Sequence, residues 1–158
     1  MTPEQHNALL SGLQESKWGP RDVARYAKAI ESGDWKGADR IIADSIFELL
    51  FLGGVEAIIP DGSYTGYGGV YRLELDTTER GLRRRRHFDG NGALRCDFCF
   101  KGDLKHGLQI QYDEKGRMVV QEEYADGLPN GWCTGYKPNG EVAYLRRYTN
   151  GAVDPFSS

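Results

Sequence analysis

Hydrophobic positions along this chain change from a helical spacing to a strict alternation near residue 64. In the first 52 residues, apolar side chains such as Val23, Ala27 and Ile30 recur every three or four positions, which is the period of an amphipathic helix. From residue 64 onward, apolar and polar residues alternate between glycines and asparagines, which is typical of half-buried β-strands. The sequence therefore predicts an α+β protein, with helices first and an antiparallel sheet after them.

Local signals divide the helical part into three helices. Thr2 is followed by Pro3 and by Gln5, which matches a capping box with proline at the first helical position. We expect Gly19-Pro20 to separate the first two helices and Asp34 to cap the third. Gly53-Gly54 should end the third helix.

A 24-residue repeat organises the alternating part of the chain. Aromatic residues and glycines recur at this interval in three sets: Phe88, Tyr112 and Tyr136; Gly92, Gly116 and Gly140; and Phe100, Tyr124 and Tyr148. Each aromatic residue of the first set precedes a short polar turn that ends in glycine, and glycine takes positive φ there without steric cost. The repeat predicts successive β-hairpins with Gly116 and Gly140 in left-handed conformations.

The repeat length also predicts which residues share a face of the sheet. Because 24 is even, residues one repeat apart should point the same way. On this basis one face should be apolar: Leu94, Phe98, Phe100, Leu108, Ile110, Tyr112, Met118, Val120, Tyr124, Trp132, Tyr136, Val142, Tyr144 and Tyr148. The opposite face should be polar: Arg95, Asp97, Gln109, Gln111, Arg117, Gln121, Glu123, Glu141 and Arg147.

An apolar sheet face and apolar helix stripes both need to be covered, so we expect the helices to pack on the sheet. The predicted organisation is therefore a single domain over residues 1–158. It comprises a helical segment at 1–52, a Gly-rich junction at 53–69 and the hairpin repeats at 70–156.

Composition narrows the class of function. The net charge of −3 gives no general attraction to nucleic acid or to anionic membranes. The N-terminal residues lack the basic and apolar regions of a signal peptide, and three cysteines make no disulfide framework. We therefore expect a cytoplasmic protein.

The residues that could carry chemistry are few. Cys96 and Cys99 lie three apart on a predicted strand, so their thiols should point to opposite faces and not share a metal ion. His6, His87 and His106 belong to no nucleophile or zinc motif. We expect no metal, no cofactor, no catalytic residue and no enzymatic activity.

Charged residues leave alternatives open. The run Arg83–Arg86 is either a basic patch for an acidic partner, or one strand of the first hairpin whose alternate arginines are solvated. Glu122 and Arg146 occupy the repeat position of Phe98 on the predicted apolar face. They could pair across neighbouring repeats, lie on an uncovered end of the sheet, or contact a partner.

The hairpins resemble a known family. The recurrent Tyr/Phe-x-x-x-Gly turns, with segments such as Tyr124-Ala-Asp-Gly-Leu-Pro-Asn-Gly131, are similar to the MORN-like repeats of the YwqK-like antitoxin proteins of bacteria, over roughly residues 64–156. The resemblance implies an immunity protein that neutralises a cognate toxin, encoded by an adjacent gene, through stoichiometric binding. MORN-like repeats also occur in scaffold and lipid-associated proteins, so a binding module of that kind, with Arg83–Arg86 at the membrane, is the alternative.

For an immunity protein, we expect the hairpins to supply the toxin-binding surface. An acidic inhibitor suits the basic cleft of a toxin that acts on an anionic substrate, and aromatic side chains can anchor the contact. The predicted partner-binding residues are Glu122, Glu123, Asp126, Trp132, Tyr136 and Arg146. The expected partner is a toxin protein, not nucleic acid or a membrane.

Overall fold

The structure is a computed structural model that describes residues 1–52 and 55–155. The chain forms two compact units, Met1–Tyr71 and Arg72–Ser158. Three helices come first and antiparallel strands follow, which confirms the α+β prediction. The predicted helix end at Gly53-Gly54 lies outside the described residues, and the single-domain organisation stays a prediction.

The first unit contains helices α1 (Pro3–Gln14), α2 (Pro20–Glu31) and α3 (Trp35–Phe51), a short 3-10 turn (Glu56–Ile58), strand β1 (Gly62–Gly66) and a second short turn (Tyr67–Gly69). Its predicted caps are present. The Thr2 hydroxyl accepts the Gln5 N–H at 3.1 Å, and the Gln5 side chain accepts the Thr2 N–H at 2.8 Å. The Asp34 carboxylate accepts the Gly37 N–H at 2.9 Å. These bonds satisfy N–H groups that the first turn of a helix leaves without intrahelical partners.

A buried polar group links the three helices inside their apolar core. His6 of α1 is fully buried, with its Nδ1 2.7 Å from the Tyr26 hydroxyl of α2 and its Nε2 3.0 Å from the Asp39 carboxylate of α3. Burial lowers the pKa of His6 and raises the pKa of Tyr26. The same helices also bury apolar side chains, among them Leu9, Leu13, Ile42, Ile46 and Leu49. The polar contacts fix which helix faces meet, since buried polar groups need specific partners.

The second unit is a sheet of successive hairpins. Its strands are β2 (Tyr71–Thr77, which begins at the last residue of the first unit), β3 (Arg83–Asp89), β4 (Leu94–Lys101), β5 (Leu104–Lys105), β6 (Gly107–Tyr112), β7 (Met118–Ala125), β8 (Leu128–Tyr136), β9 (Val142–Thr149) and β10 (Ala152–Val153). The strands are adjacent in sequence order, except that β4 pairs with both β5 and β6. The pairs described from β3 to β10 are antiparallel.

The longer turns have the geometry that the repeat predicts. Gly92, Gly116 and Gly140 have φ values of 80°, 77° and 88°. Each glycine N–H donates back across the turn, as from Gly116 to the Asp113 carbonyl at 3.0 Å. The prediction of left-handed glycines is therefore confirmed.

A second, tighter kind of turn alternates with the first. Asp126-Gly127 and Asn150-Gly151 form two-residue turns in which all four residues have positive φ, between 47° and 87°. Ala125 pairs directly with Leu128 across the first of them. This is the turn type that suits the right-handed twist of a hairpin.

The register shows that the predicted division into one apolar and one polar face is wrong. Ile110 lies opposite Asp97, Leu108 opposite Glu123, and Trp132 opposite Arg147. Residues directly opposite each other share a face, so these three apolar side chains lie on the face assigned to polar residues. Conversely, Gln109 lies opposite Glu122 on the face of Phe98.

The physical reason is a change of parity within each repeat. A two-residue turn pairs an odd-numbered with an even-numbered residue, as Ala125 with Leu128. Each longer turn has a register shift beside it that has the same effect, as between Gln111 and Tyr112. Residues 24 apart therefore keep the same face. Within one repeat, however, an even-numbered residue on one strand lies opposite an odd-numbered residue on the other strand.

We name the two faces for what they carry. The aromatic face contains Phe98, Phe100, Gln109, Glu122, Tyr124, Cys133, Gly135, Tyr144, Arg146 and Tyr148. The Trp132 face contains Asp97, Leu108, Ile110, Gln121, Glu123, Trp132, Thr134, Leu145 and Arg147. In strands β6 to β9 the buried residues are Gln109, Cys133 and Gly135, all on the aromatic face. The Trp132 face is therefore the more exposed of the two.

Substitution of two glycines should lower the stability of the fold for different reasons. A Cβ at Gly116 meets nothing within 4 Å, so Gly116→Ala should lose stability through its positive φ alone. A Cβ at Gly135 would overlap the Tyr144 ring, so Gly135→Ala should lose stability through that overlap. We expect each variant to lose about 1–2 kcal/mol in urea unfolding.

A double-mutant cycle separates the two causes. Tyr144→Ala should remove most of the cost of Gly135→Ala and none of the cost of Gly116→Ala, because only the first cost involves the tyrosine. Additive effects for the Gly135 and Tyr144 pair would contradict the proposed overlap.

Candidate functional site

An exposed row of side chains crosses four strands on the Trp132 face. Leu108 lies opposite Glu123, and Trp132 lies opposite Arg147. Trp132 is 46% exposed and Leu108 is 41% exposed, while Leu145 on the neighbouring row is 38% exposed. With strands about 4.8 Å apart, the row is about 14 Å long. From β6 to β9 this Trp132 row carries an apolar side chain, an acid, an indole and a base: Leu108, Glu123, Trp132 and Arg147.

The acid is held in place by the backbone beside the tryptophan. The Glu123 carboxylate accepts the Trp132 N–H at 2.7 Å. Gly131 has φ of 121°, and a Cβ there would overlap the Glu123 carboxylate. The glycine therefore permits the close approach that fixes the carboxylate against the backbone of Trp132.

The base completes the row on the outer side. The Arg147 guanidinium lies 5.7 Å from the centroid of the Trp132 ring, within the range of a cation–π contact. Tryptophan and arginine are the side chains most enriched at the energetic centres of protein interfaces. The row thus has the chemistry of a docking surface for another protein.

Two predicted site residues, Glu122 and Arg146, lie on the aromatic face instead. Cys133 separates them, since it lies opposite each of them on neighbouring strands. Its Sγ is 3.6 Å from a Glu122 carboxylate oxygen, and burial raises the pKa of the thiol. The Arg146 guanidinium lies 5.0 Å from the Tyr144 ring centroid. Of the alternatives that the sequence left open, direct pairing of Glu122 with Arg146 is therefore replaced by a row of three residues.

Asp126 and Tyr136 lie at opposite ends of β8. Asp126 belongs to the turn before the strand, where its N–H donates to His106 Nδ1 at 3.1 Å and its carboxylate is 3.6 Å from Lys101 Nζ. Tyr136 is the last residue of the strand and lines a shallow cavity of about 470 Å³ with Met118. Of the six predicted site residues, Glu123 and Trp132 are the two that share the row.

Three residues of this surface were not predicted as site residues: Leu108, Leu145 and Arg147. The repeat contained a signal for one of them, because Leu108 and Trp132 are one repeat apart. The signal for their shared face was the pair of turns Asp126-Gly127 and Asn150-Gly151, which are typical of two-residue hairpin loops.

The four consecutive arginines form part of a strand, as one of the two interpretations expected. Arg84 Nε donates to Asp97 at 2.7 Å, and Arg86 Nη2 lies 3.2 Å from Glu74. Arg85 is 8% exposed. Each of the ion pairs neutralises a charge that a free basic patch would offer.

The two cysteines of β4 point to opposite faces, as predicted. Cys96 lies opposite His87, and Cys99 lies opposite Arg84. Burial raises the pKa of both thiols, so both stay protonated at neutral pH. In residues 1–52 and 55–155, no three or more His, Cys, Asp or Glu side chains are placed to bind a metal ion together. Likewise, no helix in this part of the chain has the length and apolarity needed to cross a membrane.

Comparisons with known proteins give no relative. No protein-family model, no curated protein and no solved structure matches the chain. The resemblance to MORN-like repeats therefore depends on the repeat residues themselves.

The aromatic face contains a histidine that makes stability depend on pH. Burial, and secondly the charge of Arg85, lower the pKa of His87 from its ordinary 6.5 to about 4. The unfolded chain therefore binds more protons than the folded chain between these two values, and stability should fall as the pH drops through this window. The full loss is about 1–3 kcal/mol for a partly exposed group.

Urea unfolding at pH 7 and at pH 4.5, followed by tryptophan fluorescence, measures this loss. In the His87→Phe variant the difference between the two pH values should be smaller, because Phe has no proton to bind. The remaining difference includes His6, whose pKa burial also lowers. An equal loss in both proteins would contradict the assignment to His87.

Proposed function

We propose that this chain is an immunity protein of the MORN-like antitoxin type, which neutralises a protein toxin by stoichiometric binding in the cytoplasm. The single observation that carries the proposal is the exposed Trp132 row, where an indole lies between a fixed carboxylate and a guanidinium. The toxin contact is assigned to this row, with Glu123 and Trp132 at its centre.

The apolar part of the row supplies affinity. Burying a large apolar side chain contributes about 1.5–3 kcal/mol. The row exposes Leu108 and Trp132, and the neighbouring row exposes Leu145. Glu123 holds the backbone of Trp132 before any partner arrives. A side chain that is already ordered costs less conformational entropy on binding.

The charges supply orientation and speed. Glu123 and Arg147 flank Trp132 on opposite sides. A complementary partner therefore places a base against Glu123 and an acid against Arg147. The net charge of −3 favours encounter with a basic toxin, and salt should slow that encounter.

A lipid-associated scaffold is the weaker alternative. Its contact would be the arginine strand, but Arg84 is bound to Asp97 and Arg86 to Glu74. A phosphate group would have to displace these carboxylates. The same pairs weaken a nucleic-acid function, because phosphate contacts depend on free cations.

Trp132→Ala tests the proposed surface. Co-expression with the product of the adjacent gene measures rescue, and calorimetry measures affinity. Trp132→Ala should weaken binding by about 2–4 kcal/mol, as expected for an anchor residue, and should abolish rescue while the melting temperature changes little. Tyr67→Ala removes another exposed aromatic ring (63%) from the first unit and should leave both readouts unchanged.

Full rescue and unchanged affinity in Trp132→Ala would reject the Trp132 row as the contact. If the wild-type chain binds no neighbouring gene product, the immunity function itself is rejected.

The two adjacent acids give a matched pair of charge variants. Glu123→Gln and Glu122→Gln change the net charge equally, but the first alters the Trp132 face and the second the aromatic face. Glu123→Gln should slow association about three- to tenfold at low salt, and Glu122→Gln should have little effect. Equal slowing in stopped-flow measurements would mean that net charge, and not this surface, steers the toxin.

A further inference from the structure

A cavity of about 390 Å³ opens on the Trp132 face beside strands β3, β4 and β6. Arg84 lies opposite Cys99 and Asp97 opposite Ile110, which places these residues on that face. The apolar side chains that line the cavity are Leu82, Cys99, Leu108 and Ile110. We call it the Leu108 cavity.

The side chain of Gln109 explains why the cavity opens between β4 and β6. The two strands pair directly as far as Asp97 and Ile110. At Cys99 the Gln109 amide takes the place of a β6 backbone: the Cys99 N–H donates to Gln109 Oε1 at 3.3 Å, and the Cys99 carbonyl accepts from Gln109 Nε2 at 2.8 Å. A side chain between two backbones holds them further apart than ladder hydrogen bonds do. Gln109 is buried, so the cavity is part of the fold.

Two arginines at the cavity differ in their partners. Arg84 Nε donates to the Asp97 carboxylate at 2.7 Å, so these two charges compensate each other. Arg80 is exposed in the turn between β2 and β3, and within residues 1–52 and 55–155 its guanidinium forms no ion pair. The Leu108 cavity therefore joins an apolar interior to one uncompensated positive charge.

The Leu108 cavity is continuous with the Trp132 row. Leu108 is a wall of the cavity and also the first residue of the row, opposite Glu123. With strands about 4.8 Å apart, Trp132 on β8 lies about 10 Å from Leu108 on β6. A standard protein interface covers about 800 Å² on each partner, so a partner centred on Trp132 extends over the cavity.

Volume and charge indicate what fills the cavity. It has room for one large apolar side chain, and burial of that side chain would be favourable. A carboxylate beside the same side chain would compensate Arg80. A fatty acid shares this chemistry, but the continuity with Trp132 favours a protein as its source.

We propose that the Leu108 cavity is an anchor pocket of the toxin-binding surface. It takes a large apolar side chain of the toxin, and Arg80 binds an aspartate or glutamate next to that side chain. The proposal rests on the proposed function, because it specifies the chemistry of the toxin beside its contact with Trp132.

A dipeptide tests the cavity without the toxin. The probe is N-acetyl-Phe-Glu amide, and its control, N-acetyl-Phe-Gln amide, has the same size without the charge. In an NMR titration of the full chain, the acidic peptide should shift the amide signals of Cys99, Leu108 and Ile110 saturably. It should bind about threefold or more tighter than the control, because the control leaves Arg80 without an acid. In Arg80→Gln the two peptides should bind equally.

Three results of the titration would each overturn the proposal: shifts confined to other strands, a failure to saturate, or equal affinity of the wild type for both peptides. Tighter binding of decanoate than of the acidic peptide, at the same amides, would overturn it in favour of a small-molecule site. Dimerisation of the free chain that Cys99→Phe abolishes in sedimentation would overturn it in favour of a second copy.

Filling the cavity tests the same contact in the toxin complex. Cys99→Phe places a ring in the cavity and should weaken toxin binding about tenfold or more. Cys96→Phe adds the same ring on the opposite face and should leave toxin binding unchanged. Melting temperatures of both variants show whether the fold is retained. Unchanged affinity in a folded Cys99→Phe variant would contradict the anchor pocket.

An exposed pair of arginines decides if Cys99→Phe does not fold. Arg80→Gln and Arg21→Gln change the net charge equally, but Arg21 is exposed on α2 in the first unit. Arg80→Gln should weaken toxin binding about threefold or more, and Arg21→Gln should leave it unchanged. Equal affinities of these two variants would overturn the proposal.

The outcomes for the two proposals are distinguishable. Peptide binding in the Leu108 cavity without any toxin neutralisation rejects the immunity function alone. Toxin binding that Trp132→Ala abolishes, and that Cys99→Phe and Arg80→Gln leave intact, rejects the anchor pocket alone.

Discussion

The odd register between neighbouring strands determines the surface of this sheet. Each turn, whether of two residues or longer with a register shift, joins even-numbered to odd-numbered positions. Aromatic residues of β4, β7 and β9 therefore collect on one face, the same face as the buried residues Gln109, Cys133 and Gly135. The apolar residues of β6 and β8 are left on the other face. This register places Trp132 on the exposed face. A shortage of apolar residues in the sheet is not the cause.

Local chemistry made the helices and turns predictable, but not the faces. The capping box at Thr2, the cap at Asp34 and the left-handed glycines depend on a few neighbouring residues, and the structure confirms them. The face of Leu108 depends on the number of residues in every turn before it. A one-residue error there moves a whole strand to the other face. The Asp-Gly and Asn-Gly dipeptides carried the missing information.

The candidate site was half predictable for the same reason. Glu123 and Trp132 were expected on opposite faces, yet they meet because β7 and β8 have opposite parity. Pairing of Glu122 with Arg146 was one of three alternatives, and Cys133 on the intervening strand lies between the two residues. The charged arginine strand was ambiguous in sequence, since its carboxylate partners on β2 and β4 are distant along the chain.

The repeat separates residues that build the sheet from residues that vary the charge of its exposed face. Gly107 and Gly131 are one repeat apart and precede Leu108 and Trp132, which are also equivalent. The positions beside them are Cys99, Glu123 and Arg147, again one repeat apart, but these differ in charge from one repeat to the next. Equivalent positions of the repeat thus present a thiol, an acid and a base in order across the same face. If the proposed function is right, substitutions at these varying positions would change the charge that the sheet offers a partner without altering the glycines that hold the hairpins.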